Sequence, residues 1–284
     1  MSAATILIAG SGYVGSRLTA HLRAQGHRVI PIRRTAMPND AEAVTGDLTE
    51  PETIILPQPI THVVFCAGLQ RAEPAAYTQL FIDGFSRFLQ HLAGQPLQQF
   101  LFTSTTGVYA EVHGGSVDED SPTAPRRAPA AAYLAAEQHL QAAPFPTVVA
   151  RLSGIYGPNR TRLIERVRTG QECRQRGPVQ YVNQVHVDDI VGALAHLLFL
   201  PRPAPCYNLT DCAPTDRNQV LEWLAHELNV EPPAWSDAGV PAAARRGGNK
   251  QCRNQRLLDS GYTFTYPTYQ EGYSALLRAS PEGA

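Results

Sequence analysis

The first half of the chain alternates short apolar runs with segments whose apolar residues recur at helical spacing. The apolar runs predict buried strands at 5–9, 28–32, 43–48, 62–68, 99–104 and 147–152. The helical spacing predicts helices after residue 10, over 77–92 and over 130–142. Strands separated by helices indicate a parallel, doubly wound α/β sheet with right-handed crossovers. Since ligands of such sheets bind beyond the carboxyl ends of the strands, these strand ends should line one crevice.

A glycine-rich turn, Gly10-Ser11-Gly12-Tyr13-Val14-Gly15, joins the first predicted strand to the first predicted helix. Gly10 allows the tight turn, Gly12 lets a pyrophosphate approach the backbone, and Gly15 lets the helix pack closely on the sheet. The amino end of the helix directs N–H groups and a positive dipole end towards that phosphate. The turn therefore predicts a dinucleotide site in a Rossmann fold; the alternative is a glycine-rich turn in an unrelated α/β domain.

The end of the second predicted strand, Ile32-Arg33-Arg34, bears on the choice of cofactor. NAD sites usually carry an Asp or Glu here that binds the ribose hydroxyls, and this chain has no acid nearby. Guanidinium groups can instead hold a 2′-phosphate through paired hydrogen bonds. We predict that the cofactor is NADP(H), and NAD(H) stays open as an alternative. In the alternative interpretation, the two arginines are a solvated strand end.

The alternation of strands and helices weakens after about residue 156. The patterns predict a helix within 158–170, a short strand at 179–183, an apolar helix over 187–200 and a helix over 218–228, with a proline-rich break at 201–205. We predict an NAD(P)-binding Rossmann domain of residues 1–155 and about 184–200. A smaller, interleaved substrate-binding lobe would comprise about 156–183 and 201–284.

Composition narrows the class of protein further. The 284 residues are 43% hydrophobic, which supports a full core, and the net charge is −1 with a pI near 6.8. A near-neutral chain argues against nucleic acid or an anionic membrane as a partner, and no apolar stretch approaches the roughly 20 residues of a bilayer span. Five scattered cysteines and nine histidines show no metal-ligand spacing, so we expect no metal. We also expect no signal peptide and a cytoplasmic location.

Motifs over most of the chain resemble those of the extended short-chain dehydrogenase/reductases, the NAD-dependent epimerase/dehydratase-like family, in an atypical form. Beyond the glycine-rich turn they are Gly46-Asp47-Leu48, Ala67-Gly68, Thr103-Ser104-Thr105-Thr106-Gly107-Val108-Tyr109, Tyr133, Arg151-Leu152-Ser153-Gly154-Ile155-Tyr156-Gly157-Pro158 and His186-Val187-Asp188-Asp189. The resemblance implies a small polar substrate, such as a sugar nucleotide, and is compatible with a homodimer. Cofactor-binding residues are thus predicted at Gly10, Ser11, Gly12, Tyr13, Val14, Gly15, Arg33, Arg34, Asp47, Leu48, Cys66, Ala67, Gly68 and Thr103.

The resemblance also implies a catalytic set. In this family a Tyr exchanges a proton with the substrate while hydride moves to or from the nicotinamide, a Ser or Thr holds the substrate oxygen, and a Lys four residues after the Tyr lowers its pKa. The corresponding positions are Thr105, Tyr133 and Glu137. Glu137 should lie on the same helix face as Tyr133 and raise the pKa of the tyrosine. The family's Asn-x-x-Gly is replaced by Phe81-Ile82-Asp83-Gly84.

Three interpretations of this departure stay open. In the first, the chain is an active oxidoreductase or epimerase/dehydratase whose cation comes from another residue, such as Arg126, Arg127 or Arg151. In the second, Tyr133 is only a general acid, which tolerates a high pKa when a substrate is reduced. In the third, the chain binds NADP(H) as a regulator or sensor without catalysis. Tyr133 could also be an ordinary helix-surface residue and Thr105 an ordinary strand cap.

Substrate-side residues are predicted in the second lobe. Asn159 or Arg160 could contact an anionic substrate, unless their segment is a plain surface loop. Asn183 and Lys250 are further candidates. The segment His186-Val187-Asp188-Asp189 precedes an apolar helix, and its aspartates are expected to serve the structure rather than catalysis.

Overall fold

The computed structural model describes residues 3–36, 38–69, 72–236 and 248–279. The chain forms two compact units. The first contains the residues up to Val108, Thr123–Arg151 and Val191–Tyr207; the second contains Tyr109–Pro122, Leu152–Ile190 and the residues from Asn208 onwards. Residues 109–122, 152–155 and 184–190 therefore belong to the second unit and 201–207 to the first, which differs from the predicted boundaries. The roles predicted for the two lobes stay predictions.

The strands lie close to the predicted apolar runs in the first half of the chain and are very short in the second. In chain order they are β1 (Thr5–Ala9), β2 (Arg28–Arg33), β3 (Val44–Thr45), β4 (His62–Phe65), β5 (Gln99–Thr105), β6 (Ser116–Val117), β7 (Thr147–Leu152), β8 (Gly154–Tyr156), β9 (Arg174–Gln175), β10 (Tyr181–Val182), β11 (Gln184–His186), β12 (Cys206–Leu209), β13 (Thr215–Asp216), β14 (Trp235–Ser236) and β15 (Gln251–Cys252).

The helices alternate with the strands of the first half, as the spacing of apolar residues predicts. They are α1 (Tyr13–Ala24), α2 (Pro74–Thr78), α3 (Phe85–His91), α4 (Ala128–Gln141), α5 (Arg162–Arg168), α6 (Val187–Leu198), α7 (Arg217–Glu227), α8 (Gln255–Asp259) and α9 (Tyr269–Ala279). A π-helical segment, Gln79–Gly84, joins α2 to α3. None of the helices in the described ranges combines the length and the apolar character that a bilayer span requires.

A seven-stranded parallel sheet confirms the predicted fold class. Its strand order is β12-β7-β5-β4-β1-β2-β3. The order reverses at β1, which pairs with β2 on one side and β4 on the other. In doubly wound sheets the ligand crevice opens at such a reversal, beyond the carboxyl ends of the strands. The segments that follow β1 and β4 are therefore the ones that should bind a ligand.

The core of the first unit is an aromatic cluster on one face of this sheet. The ring centroid of Phe65 lies 4.8 Å from that of Phe85, 5.6 Å from that of Phe88 and 5.8 Å from that of Phe102. All four side chains are fully buried. Burying a side chain of this size contributes roughly 1.5–3 kcal/mol, so these rings fix α3 firmly on the sheet.

The second unit is built from short strand pairs and its own apolar core. Strands β10 and β13 pair antiparallel, whereas β8 with β11, β9 with β14 and β6 with β15 pair parallel. The carboxylate of Asp189, near the start of α6, accepts the backbone N–H groups of Thr265 at 2.7 Å and Tyr266 at 2.9 Å and the hydroxyl of Tyr262 at 3.1 Å. Asp189 thus holds the 262–266 segment against α6.

Two predicted elements of the first half of the chain differ most from the structure. The strand predicted at 43–48 shrinks to two residues, because Asp47 turns the backbone by accepting the N–H and the hydroxyl of Thr49, both at 2.9 Å. The single helix predicted over 77–92 is three consecutive segments, since a π-helical turn interrupts it. Neither feature has a signature in hydrophobic spacing.

Candidate functional site

The glycine-rich turn after β1 has the geometry of a close backbone approach. Gly10 has φ +103°, a conformation that L side chains rarely adopt. A Cβ atom at Gly10 would lie 2.4 Å from the Cα of Ala67, in the segment after β4. Ser11, which follows, donates its N–H to the carbonyl of Ile32 at 3.1 Å. The turn is therefore fixed between the ends of β2 and β4.

Gly12 and Gly15 meet different requirements. A Cβ at Gly12 would meet no atom within 4 Å, so the space beside this backbone is open. A Cβ at Gly15 would lie 2.2 Å from the carbonyl oxygen of Gly10, so Gly15 lets α1 pack on the turn. Gly12 is the N-cap residue of α1, and no side chain caps this end or adds an acid to its first turn. The first N–H groups of a helix lack intrahelical partners and favour an anion.

A cleft of about 460 Å³ opens over this turn, and we call it the nucleotide cleft. Ten of the predicted cofactor-binding residues line it: Gly10, Ser11, Gly12, Arg33, Arg34, Asp47, Leu48, Cys66, Ala67 and Gly68. The remaining lining residues are Thr35, Gly46, Thr49, Leu69, Ala76, Gln79 and Leu80. The predicted residues thus come together from the ends of β1, β2 and β4 and from the turn after β3.

Four predicted cofactor residues lie outside the lining of the nucleotide cleft. Val14 is buried, and Gly15 serves the packing of α1. The guanidinium of Arg17 stacks over the Tyr13 ring at 4.1 Å from its centroid. Thr103 donates its hydroxyl to the carbonyl of Phe65 at 3.2 Å within the sheet. For these four residues the structure shows packing roles, and a contact with the cofactor stays a prediction.

Cys66 is in the cleft wall but is not a reactive thiol. Its Sγ donates to the carbonyl of Gly10 at 3.2 Å. Burial raises the pKa of Cys66 to about 12, so the group stays a thiol at neutral pH. Cys66 therefore joins the segment after β4 to the glycine-rich turn instead of acting as a nucleophile.

The π-helical segment Gln79–Gly84 shapes the far wall of the cleft. A π turn holds an extra residue, so it changes which side chains face each side of a helix. Leu80 and Gln79 line the cleft, whereas Phe81 packs in the core against Phe65. A Cβ at Gly84 would lie 2.4 Å from the carbonyl oxygen of Leu48, so the glycine lets this helix approach the turn after β3.

Tyr133 lies on α4 among aromatic side chains. Its ring centroid is 4.1 Å from that of Phe81 and 6.2 Å from that of Phe102. Burial, with smaller contributions from Tyr77 and Cys66, raises the pKa of Tyr133 well above its usual value. Within the described ranges no residue forms a hydrogen bond with its hydroxyl. Tyr133 is thus a protonated phenol at neutral pH with its hydroxyl uncommitted.

Glu137 does not act on Tyr133 in the way that the sequence suggested. Its carboxylate is buried and accepts Nη2 of Arg151 at 2.7 Å and Nε of Arg151 at 3.2 Å. It also accepts the hydroxyl of Ser104 at 2.5 Å. The raised pKa of Tyr133 has burial as its main cause, and Glu137 is not among its causes. Tyr133 and Glu137 are one helical turn apart on α4, but the Glu137 carboxylate pairs with Arg151 near the end of β7.

Thr105 ends β5 and is half-buried. Its Oγ1 accepts the N–H of Gly107 at 3.1 Å, which starts the turn after the strand. This bond uses the oxygen as an acceptor and leaves the hydroxyl hydrogen for another partner. Thr105 therefore acts as a strand cap and can still donate to a substrate oxygen.

The sequence model of the NAD dependent epimerase/dehydratase family matches residues 6–209 of the chain. The chain belongs to this family. Relatives extend over nearly its full length. A structure from Methylobacillus flagellatus described as an NAD-dependent epimerase/dehydratase is 33% identical, with a TM-score of 0.80, and covers 98% of this chain and 99% of that one. Protein YeeZ of Escherichia coli K12 is 25% identical over 277 residues, 92% of this chain and 96% of that protein.

A more distant structure shows the fold alone. The human epimerase family protein SDR39U1, solved with NADPH, is 19% identical, has a TM-score of 0.80 and covers 97% of this chain and 100% of that one. As a member of the NAD dependent epimerase/dehydratase family, the chain combines an intact glycine-rich turn with an ion-paired Glu137. Within the described part of the chain, no three His, Cys, Asp or Glu residues form a group that could hold a metal ion.

Sequence reasoning missed several residues of the site. Ser104 and Arg151 were not recognised as the partners of Glu137, although both stand in strand-end motifs of the NAD dependent epimerase/dehydratase pattern. Thr35 also lines the cleft, and its position directly after Arg33 and Arg34 at the end of β2 could have predicted this. Gln79 had no signal, because only the π-helical turn brings it to the cleft.

Proposed function

We propose that this chain binds NADP(H) in the nucleotide cleft and is an oxidoreductase that transfers hydride at a carbonyl or hydroxyl carbon of a small polar substrate. The observation that supports it most is the open backbone at Gly12 beside two cleft-lining arginines. A Cβ-free backbone at a helix N-terminus suits a pyrophosphate. The open space and the donor-rich wall fit a dinucleotide.

The charges at the end of β2 support NADP(H) in preference to NAD(H). Arg33 and Arg34 are exposed and line the cleft together with Thr35. The cleft-lining carboxylate, Asp47, has one oxygen engaged with Thr49. Guanidinium groups at this position would hold the 2′-phosphate of NADP(H), and a phosphate gains more from them than a ribose hydroxyl does.

The catalytic role falls to Tyr133 as a proton donor. The bound nicotinamide supplies or accepts the hydride. A buried phenol with a raised pKa keeps its proton until a substrate oxygen gains negative charge, which suits reduction of a carbonyl. Thr105, with its hydroxyl hydrogen available, would hold that oxygen. A proton donor does not have to be deprotonated before it acts, so carbonyl reduction does not require the cation that the family's Lys supplies. The replacement of that Lys by Glu137 is therefore compatible with the proposal.

A second candidate function is an NADP(H)-binding regulator or sensor without catalysis. The observation that favours it is Glu137, which stands at the family's Lys position and is consumed by Arg151 and Ser104. An acceptor-only carboxylate cannot lower the pKa of Tyr133 as an ammonium would. A chain that had lost its chemistry would still keep the phosphate-binding turn.

Cofactor binding is tested by titrating the protein with NADPH and NADH and following nicotinamide fluorescence. We expect Arg33→Gln/Arg34→Gln to weaken NADPH binding roughly 10–100-fold, the equivalent of about 1.5–3 kcal/mol for charged hydrogen bonds, and to leave NADH binding nearly unchanged. Arg28→Gln is the matched control, because Arg28 begins the same strand and pairs with Glu42. Equal effects in both variants would refute the cofactor assignment.

Catalysis is tested by following NADPH oxidation against a panel of carbonyl compounds. We expect turnover by the natural sequence and its loss in Tyr133→Phe, with NADPH affinity unchanged. Tight NADPH binding without turnover across the panel would instead support the regulator.

A further inference from the structure

A second cavity of the first unit, of about 620 Å³, lies at the amino ends of the sheet strands. His62 begins β4, Gln99 begins β5 and Pro146 immediately precedes β7, and all three residues line the cavity. The nucleotide cleft lies instead beyond the carboxyl ends of β1, β2 and β4. We call the second cavity the amino-edge pocket, and it is a site separate from the nucleotide cleft.

Gln99 brings an amide without a hydrogen-bond partner to the amino-edge pocket. The residue is only 5% exposed, and its Nε2 forms no hydrogen bond with any described residue. Burying an amide donor without a partner costs free energy, so such groups are rare in folded proteins. The terminal torsion of a glutamine side chain is soft, which lets the amide turn its NH₂ group towards a ligand in the pocket. A ligand carbonyl would supply the acceptor that Gln99 lacks.

His62 stands beside Gln99 on the neighbouring strand. The two residues are register partners in the parallel pair of β4 and β5, so their side chains leave the same face of the sheet. Neighbouring strands run about 4.8 Å apart, which is the scale of one small functional group. A single amide of a ligand can therefore reach both side chains.

The hydrogen bonds of Thr61 set which nitrogen of His62 carries the proton. The Thr61 hydroxyl lies 3.0 Å from the carbonyl oxygen of Thr5 and 2.9 Å from Nδ1 of His62. Because that carbonyl can only accept, the hydroxyl hydrogen is assigned to it, and Nδ1 of His62 donates to Thr61. Burial, with a smaller contribution from His27, lowers the pKa of His62 to about 4, so the ring is neutral at pH 7. Nε2 of His62 is then an acceptor, and no residue of the described ranges donates to it.

Apolar side chains form most of the remaining wall of the amino-edge pocket. Phe199 directly follows α6, and its ring centroid lies 5.0 Å from that of His62 and 4.6 Å from that of His27. The other apolar lining residues include Pro146, Leu198, Leu200, Pro201 and Pro203. Among the described lining residues the one formal charge is that of Arg202, which is exposed. This wall suits a flat, largely apolar ligand body better than a bare ion.

We propose that the amino-edge pocket binds a small aromatic carboxamide. The ligand carbonyl accepts a hydrogen bond from the Gln99 amide, the ligand N–H donates to Nε2 of His62, and the ligand ring packs against Phe199. This pairing needs a carbonyl and an N–H on adjacent atoms, so a carboxylate or a fully substituted amide satisfies it only in part. The site does not depend on the proposed hydride transfer, because none of its lining residues lines the nucleotide cleft.

Binding is tested by NMR titration of the full chain, labelled at its histidine rings, with benzamide in the presence and absence of NADPH. We expect the ring signal of His62, identified by its loss in His62→Phe, to shift with a Kd on the order of 1 mM in both series. N,N-Dimethylbenzamide has the same ring and carbonyl but no N–H, so it should bind roughly 3–10-fold more weakly, as the loss of one hydrogen bond predicts. Benzoate also lacks the N–H and should bind more weakly than benzamide.

Gln99→Leu removes the amide and nearly keeps the size of the side chain. We expect it to weaken benzamide binding roughly 3–10-fold and to leave the melting temperature unchanged or raised, because the natural amide has no partner among the described residues. The control is His139→Gln, since His139 is an exposed residue of α4 in the same unit and does not line the pocket. This variant should bind benzamide as the natural sequence does.

Each outcome decides the proposal. An unshifted His62 signal, equal binding of N,N-dimethylbenzamide, tighter binding of benzoate, or unchanged affinity in Gln99→Leu would overturn it. A lower melting temperature of Gln99→Leu would show that the amide is already satisfied in the fold, and would overturn it too. Displacement of benzamide by NADPH would place benzamide in the nucleotide cleft, with the same consequence. The comparison of the two amides needs no variant and the series without NADPH needs no cofactor, so failure of Gln99→Leu to fold or of the cofactor assignment leaves the test intact.

Discussion

The buried ion pair of Glu137 and Arg151 makes the sharpest prediction about stability. Both side chains are under a tenth exposed, and the carboxylate accepts three hydrogen bonds, two from Arg151 and one from Ser104. Glu137→Gln keeps the shape but replaces one acceptor oxygen with an NH₂ donor. Since guanidinium has donors only, that NH₂ cannot pair with Arg151.

The expected loss is about 3 kcal/mol, the lower end of the range for removing one partner of a buried pair. For a domain of this size that loss lowers the melting temperature by roughly 6–12 °C. Glu165→Gln is the matched control, the same substitution in an ion pair whose glutamate side chain is 53% exposed. An exposed pair contributes about 0.2–1 kcal/mol, so its variant should melt nearly as the natural sequence does.

Thermal unfolding followed by circular dichroism measures both variants. A third variant, Glu137→Leu/Arg151→Met, removes both charges and should recover most of the stability, because apolar replacement of a buried pair is often neutral. Equal melting temperatures for Glu137→Gln and Glu165→Gln would refute the reasoning. Glu137→Lys would set an ammonium against Arg151, so we expect it to destabilise the fold and not to restore a family-like tyrosine.

Three further predictions concern other sites. Burial raises the pKa of Asp211 from an ordinary 3.8 to about 8, so the free energy of unfolding should fall as pH rises from about 4 to about 8. Asp211→Asn should remove this loss, which is about 4 kcal/mol at most at pH 7. Urea titrations across that pH range measure it, and an equal weakening of both proteins would contradict the prediction. Gly84→Ala should destabilise by about 1–3 kcal/mol despite the better helix propensity of Ala, since its Cβ would meet the Leu48 carbonyl; an unchanged melting temperature would count against that packing. Tyr133→Phe should change stability by less than about 0.5 kcal/mol, because no hydrogen bond to its hydroxyl is seen in the described ranges, and a larger loss in chemical denaturation would show a structural role.

The lining of the nucleotide cleft could be predicted from sequence because its signals are local. The three glycines of the turn are required for steric reasons that involve nearby backbone. In the structure Gly10 and Gly15 make close backbone contacts, and the space beside Gly12 is open. The arginines at the end of β2 reach the same cleft because parallel strands end on one edge. The surroundings of Tyr133 and Glu137 were predicted only in part. Helical spacing set Glu137 near Tyr133 along α4, but could not show that β7 supplies its partner.

The sequence by itself determined the order of strands and helices in the first half of the chain, the glycine-rich turn and the family, because these depend on residues adjacent in the chain and on periodicities of two and 3.6 residues. Tertiary structure alone decided where the charges go. Arg151 meets Glu137, and Glu172 is shared by Arg166 and Arg217, through contacts between segments that no spacing relates. A buried charge takes whichever opposite charge the packing brings within hydrogen-bond distance, and packing belongs to the folded chain as a whole.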